Sequence, residues 1–484
     1  MIQKIFDRYK GSPVAVKATI WFLICSFIQK AISVISTPIF TRLLSTQEYG
    51  AYNVFNAWLN IITIFVSLNL GFGVYSQGVV KFSNRAAVFS SSLQGLSLML
   101  CLFWTVVYLV FDQFWNQMLS LTTVQILAML LMIWTTGVFG FWAAEQRVRL
   151  RYKELIAVTL LVSIAKPLVG IWLVCYAHDK VTARIVGLAI VEVIGYSWLF
   201  FVQMRNGRVF FSREFWSYAL KFSIPLIPHY LSMAVLSNSD RIMIEKMIGS
   251  DKAGIYSLAY SVAMIMVLFN NSLMQTLSPW IYQKIKEKRA EEIAPVAYSA
   301  LLIVASANLI LIIFAPEIVK IFAPKEYYEA IWVIPPIAMS LFFTFSYDLF
   351  AKFEFYFEKT YFIALGSIMG AVLNILLNVL FIPHLGYISA AYTTLLCYIV
   401  FSAAHYFFMR IVVKTYMNGI SIYNTKVLAL TAIGFVVIGC MIILTYKTWM
   451  LRYSIILVCF VGLWLGKRGI KGQIQKIIHI KKNG

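Results

Sequence analysis

The sequence predicts an all-α polytopic membrane protein, and three observations carry that expectation. The chain is 61% apolar and only 13% charged over 484 residues, with a mean hydropathy of +0.80. A soluble core has too little volume to hide so much apolar surface. Apolar runs of the roughly 20 residues that a helix needs to cross about 30 Å of hydrocarbon recur about fourteen times. Finally, residues 246–256 (Lys-Met-Ile-Gly-Ser-Asp-Lys-Ala-Gly-Ile-Tyr) repeat the character of residues 42–52 (Arg-Leu-Leu-Ser-Thr-Gln-Glu-Tyr-Gly-Ala-Tyr). In both places a cationic end, a small-polar turn and Gly-x-Tyr join two apolar stretches, as a duplicated membrane unit requires.

The spans centre near Ile28, Thr63, Leu98, Leu131, Ala165 and Glu192, then near Tyr230, Met264, Val304, Ile337, Ala371 and Cys397, and last near Gly434 and Cys459. The first follows a polar, basic stretch from Met1 to Lys17, and no small-residue cleavage site comes after it. It reads as a retained helix rather than a removed signal peptide. The repeated junction lies six spans apart, and because six is even both copies enter the membrane the same way up. The expected division is a six-helix lobe over residues 1–206, a second over 207–413, and two further helices with a basic tail over 414–484. A weaker echo, Lys153-Glu-Leu-Ile-Ala against Lys359-Thr-Tyr-Phe-Ile, fits the same period.

With the N-terminus in the cytoplasm, most of the 41 Lys and Arg residues fall on the cytoplasmic face, which favours both termini there. The net charge of +21 is thereby spread along one membrane surface facing anionic lipid, and nucleic acid is not an expected partner. The six cysteines lie in or at the ends of spans without CxxC spacing, so neither a disulfide framework nor a metal site is expected. No cofactor is implied. Connections between spans are short, the longest lying around Gln283 to Glu292, and GxxxxGK[ST], HExxH and GxSxG are absent. ATP hydrolysis, zinc proteolysis and serine-nucleophile chemistry have no support, and the chain is not expected to be an enzyme.

Asn238-Ser-Asp240-Arg241-Ile-Met-Ile, followed by Gly249-Ser-Asp-Lys-Ala-Gly254-Ile-Tyr256-Ser-Leu-Ala, resembles the seventh-to-eighth span signature of the polysaccharide transporter branch of the MOP superfamily. Thr37-Pro38-Ile-Phe-Thr-Arg42-Leu-Leu-Ser-Thr-Gln-Glu48-Tyr49-Gly50-Ala-Tyr52 is similar to that branch's first junction. The resemblance covers the whole chain. It implies a MATE-like fold and a Wzx-type flippase in the bacterial inner membrane, moving an undecaprenyl-pyrophosphate-linked O-antigen or capsule oligosaccharide to the periplasmic leaflet. It also makes an O-antigen polymerase and a chain-length regulator plausible partners. A small-molecule or multidrug antiporter of the same superfamily is the nearest competitor, although it would need a compact carboxylate site and Glu192 is the one mid-span carboxylate. A lipid II flippase would carry arginines in its first spans, and none lies between Arg8 and Arg42. A membrane glycosyltransferase would need an acid on a long external loop.

A pyrophosphate and its sugars cannot cross hydrocarbon without a polar, cationic path, and ionisable residues within spans are the place to look for one. Lys30 lies near the middle of the first span, about 12 Å from Pro38 at 1.5 Å per residue, a long reach for snorkelling to the surface. Lys17, at the span's edge, can snorkel. Lys166 precedes Pro167 in the fifth span, where the ring should kink the helix, and it should pair with Glu192 at equal depth in the sixth. That pair serves either helix packing or ion coupling. Arg42, Asp240 and Arg241 near the external junctions are candidates for headgroup binding or gating. Pro225 and Pro228 should bend the seventh span into a hinge, beside which His229 could titrate.

Overall fold

The computed structural model describes residues 13–71 and 73–454. Among them every regular element is helical. In chain order the α-helices are α1 (Val14–Leu43), α2 (Thr46–Ser67), α3 (Val74–Lys81), α4 (Ala86–Val110), α5 (Asp112–Leu119), α6 (Thr123–Val148), α7 (Tyr152–Tyr176), α8 (Lys180–Gly207), α9 (Arg213–Ser223) and α10 (Ile227–Met247). They continue with α11 (Ser250–Lys286), α12 (Ile293–Ile313), α13 (Ala315–Phe322), α14 (Ala330–Tyr356), α15 (Thr360–Leu385), α16 (Ser389–Tyr416) and α17 (Thr425–Leu444).

Twelve segments among the described residues are long and apolar enough to cross a membrane, and the protein is a multi-pass membrane protein. Two of the expected fourteen spans account for the difference. The one centred on Cys459 lies outside the described residues. The one near Thr63 is α2, a helix of 22 residues whose Asn53, Asn56 and Asn60 lower its hydropathy. Two of those amides return to their own helix, Asn53 to the Tyr49 carbonyl at 2.7 Å and Asn56 to the Tyr52 carbonyl at 3.1 Å. The connection expected to be longest is mostly helix, because α11 runs 37 residues to Lys286.

Local chemistry sets the helix ends. Ser45 and Glu48 close a reciprocal capping box at the start of α2, and Thr122 and Gln125 do the same for α6, satisfying backbone N–H groups that have no partner within the first turn. At the α6–α7 and α14–α15 connections the chain turns through left-handed residues, Leu150 and Glu358, both at φ 56°. Arg151 N–H then donates to the Gln146 carbonyl at 2.9 Å, and Lys359 N–H to the Glu354 carbonyl at 2.8 Å. One helix-terminating motif thus recurs where the sequence echo at Lys153 and Lys359 falls.

The chain forms two compact units, residues 1–254 and 255–484. This division differs from the repeat-based boundary at 206/207 because α10 packs on α2 and stays with the first unit. In that unit α8 is central, lying against α4, α6 and α7, while α1 packs on α7. In the second unit α14 packs against α12, α16 and α17, and α15 against α16. Between helices in lipid, close backbone approach and polar contacts replace the hydrophobic drive. Gly50 and Gly254, the identical glycines of the two junctions, meet inside the first unit. A Cβ on Gly50 would sit 1.8 Å from the Ser250 carbonyl oxygen, and one on Gly254 2.1 Å from that of Thr46.

Candidate functional site

A cavity of about 370 Å³ opens in the first unit between α1, α7 and α8, with Tyr52 of α2 on its wall. Helical periodicity puts Gln29, Lys30, Ser33 and Ser36 on the α1 side, and α7 supplies Ser163, Lys166 and Pro167. The two helices are tied by a hydrogen bond of 3.1 Å from the Gln29 amide to Ser163 Oγ.

Lys166 Nζ lies 2.6 Å from Glu192 Oε1. The other carboxylate oxygen accepts hydrogen bonds from Thr136 Oγ1 at 3.1 Å and Thr135 Oγ1 at 3.4 Å. Glu192 is buried at 4% exposure, whereas 30% of the Lys166 side chain is accessible. The carboxylate is therefore held from behind by α6, and the ammonium it anchors is presented to the cavity. Lys30 is exposed on the cavity wall, without an ion pair or hydrogen bond among the described residues.

The third cation of the cavity is Arg184, which the sequence reading did not single out. Its guanidinium carbon lies 3.6 Å from the Phe40 ring centroid and 3.5 Å from that of Tyr52, a cation–π sandwich of the kind arginine favours. Arg184 sits in the first turns of α8, where arginine is unremarkable in a sequence. Only the junction residues Phe40 and Tyr52, folded against it, mark it out. With Lys30, Lys166 and Arg184 against the single carboxylate of Glu192, the cavity is net cationic.

The other candidates are not brought to it. Arg42 is exposed and its Nη1 donates back to the Pro38 carbonyl at 2.7 Å. Arg241 Nη1 donates to Asn238 Oδ1 at 3.2 Å, which also accepts from Asn60 Nδ2 at 3.2 Å, joining α10 to α2. Asp240 is buried at 2% exposure in the same helix. Pro225 lies in a single 3₁₀ turn, Ile224–Leu226, and Pro228 at the start of α10, so the seventh span is interrupted between α9 and α10. His229 is half-buried just after that interruption.

Two buried polar groups outside the cavity also went unread. Gln203 donates to Glu145 Oε2 at 2.7 Å and to the Tyr75 hydroxyl at 3.2 Å, and accepts from Gln94 at 2.6 Å. Glu145 Oε1 pairs with Arg149 at 2.7 Å. In the second unit Glu354 meets His405. Most of these residues lie near helix ends or within polar stretches, whereas His405 lies inside the apolar run of α16.

A multi-span helical membrane protein with a cationic cavity among its helices is the class these observations define. The chain belongs to the polysaccharide biosynthesis protein family, whose match covers residues 15–285, within the MOP superfamily of flippases and transporters; the MatE family matches residues 225–380. A Haemophilus influenzae protein of the Lsg locus is 21% identical over 409 residues, covering 77% of this chain and 94% of that protein. A second membrane protein of that organism is 21% identical over 397 residues, with coverage of 76% and 92%. In fold the chain is similar to the inward closed conformation of the lipid II flippase MurJ, at TM-score 0.71 and 15% identity over 93% of this chain and 100% of that one. It is also similar to an inward-facing multidrug resistance MATE transporter, at TM-score 0.62 and 14% identity over 81% and 96%.

Proposed function

We propose that this protein is an inner-membrane flippase that carries an undecaprenyl-pyrophosphate-linked oligosaccharide, an O-antigen or capsule repeat unit, from the cytoplasmic to the periplasmic leaflet. The observation that supports this most is the cationic cavity, with Lys30 lacking an ion pair among the described residues, Lys166 anchored by Glu192 and Arg184 against two aromatic rings. A doubly charged pyrophosphate is a fitting counter-charge for such a wall, since charge-assisted hydrogen bonds replace the water that the headgroup gives up. Cavity serines and Gln29 offer hydroxyl and amide groups to sugars, while the polyprenyl tail stays in lipid.

On this reading the two six-helix lobes, residues 1–206 and 207–413, alternate access to the two membrane faces. The proline-interrupted seventh span serves as a hinge, and Arg42, Asp240 and Arg241 act at the periphery. Both termini face the cytoplasm. Polymerase and chain-length partners would collect the product. Lipid II is the second reading, favoured by the fold likeness to MurJ; against it stands the absence of arginine between Arg8 and Arg42.

The test is lipid analysis by leaflet in a null strain complemented with wild type, Lys30→Ala or Lys166→Ala. Lipid-linked oligosaccharide should accumulate on the cytoplasmic side of the null, be cleared by wild type, and persist with either stably expressed variant. Normal distribution in the null would sink the proposal and favour a small-molecule antiporter. A missing or chemically altered glycan would favour a transferase.

A further inference from the structure

Glu354 on α14 and His405 on α16 form a fully buried carboxylate–imidazole pair. Their side chains are 0% and 1% exposed, and His405 Nδ1 lies 2.8 Å from Glu354 Oε1. Each keeps one further polar atom, Glu354 Oε2 and His405 Nε2, with no hydrogen-bond partner among the described residues. The imidazole is walled by the rings of Phe401 at 4.6 Å, Tyr347 at 5.5 Å and Phe408 at 5.8 Å. Gly366 of α15 closes the remaining side, so near that a Cβ there would lie 2.7 Å from Nε2.

Among the described residues no salt bridge joins a third charge to this pair. On α14 the neighbouring ions Asp348 and Lys352 are already joined at 2.6 Å. Among the described residues α15 carries no Lys, Arg, Asp or Glu. Arg410, the next cation along α16, is exposed. The remaining titratable neighbours are phenols: Tyr347, Tyr398 packed on Phe401, Tyr282 of α11 packed on Tyr356, and Tyr423 on Phe353. The pair is therefore neutral when it holds a proton as carboxylate and imidazolium, and carries one uncompensated negative charge when it does not. That charge is strongly disfavoured away from water.

Nor does the repeated architecture need a titratable lock here. By the shared helix-terminating motif, the counterpart of Glu354 is Gln146, and the adjacent Glu145 is held by Arg149 and Gln203 instead of a histidine.

We propose that Glu354 and His405 form a proton-binding site in the second unit, which keeps its proton while α14, α15 and α16 are packed and releases it when their parting admits water. Its use to drive transport rests on the flippase reading; the proton chemistry does not.

The site can be tested without cargo. The chain has five histidines, so protein labelled with ¹⁵N-histidine in lipid vesicles gives a tractable set of imidazole signals. The signal removed by His405→Gln should be that of the two-proton form in the packed protein, and should move when Glu354 is changed to Gln. A His405 signal in a one-proton form in the packed protein would overturn the proposal, as would one that is unmoved in Glu354→Gln. If His405→Gln does not fold, replacing His178, His229, His384 and His479 by Gln one at a time assigns the remaining signal. In cells, delivery of lipid-linked glycan to the outer leaflet should fall when a protonophore collapses the proton gradient. In Glu354→Gln and His405→Gln, delivery should be slower and no longer sensitive to the protonophore. Protonophore sensitivity unchanged in these variants would overturn the link to transport even where the imidazole holds its second proton. Absence of any leaflet defect in the null strain would instead remove the flippase reading and leave the proton site standing.

Discussion

Lys166 and Glu192 illustrate what a single buried charge does in this protein. Glu192 gives its two oxygens to Lys166, Thr135 and Thr136, and removing only the lysine leaves a buried carboxylate without its counter-ion. Lys166→Met should therefore lower stability by about 3 to 5 kcal/mol, and Lys166→Met combined with Glu192→Leu should recover most of that loss. Thermal unfolding of the three proteins in one detergent measures it; equal losses in the single and double variants would mean the pair is not coupled. The flippase reading adds that the rescued double variant is stable yet inactive. Arg184 supplies a second prediction, because its guanidinium lies within 3.6 Å of the ring centroids of both Phe40 and Tyr52. Arg184→Lys keeps the charge but loses the stacking, at a cost of about 1 to 2 kcal/mol, visible in the same assay. Lys30, Lys166 and Glu192 were legible in the sequence because an ionisable group in the middle of an apolar run demands a reason. Arg184, Glu354 and His405 were not, since their significance lies in distant neighbours: Phe40 and Tyr52 for the first, Phe401 and Gly366 for the pair.

The junctions and the interrupted seventh span govern behaviour at the level of elements. Where α2 and α11 begin, Gly50 and Gly254 let two backbones touch, and a methyl group on either would enter the other helix's backbone. Gly50→Ala should destabilise the protein, although the same change on a free helix surface would stabilise it by about 1 kcal/mol. An unaltered unfolding temperature would show that the contact is looser than its geometry. Pro225 and Pro228 flank the break between α9 and α10, and replacing both with alanine restores the N–H groups that proline lacks and removes the steric block to continuous helix. The variant should fold normally and transport poorly, as read by helix content beside leaflet analysis. The sequence marked these prolines and glycines because each restricts or frees the backbone in a known way. It did not reveal the short helices α3, α5 and α13, which are only 8 residues each, too short for a repeating pattern to stand out.

Across the whole molecule, apolar composition and charge asymmetry are the governing features. The basic bias between spans predicts that both termini lie in the cytoplasm. Epitope tags at each end should resist labelling from outside intact cells and react after the inner membrane is opened; labelling of either tag in intact cells would reverse the assignment. Composition alone determined that the chain is a helical membrane protein, because apolar surface on this scale has no other stable environment and backbone polar groups in lipid must be satisfied within helices. The junction residues and the span motifs likewise pointed to the family. Tertiary structure decided which charged residues share a cavity, which glycines meet, that α10 packs on α2, and that a histidine and a glutamate far apart in the chain are sealed together. Span length and hydropathy are properties of a segment and can be read along the chain. Pairing and burial belong to groups far apart in sequence, and they exist only once the helices are packed.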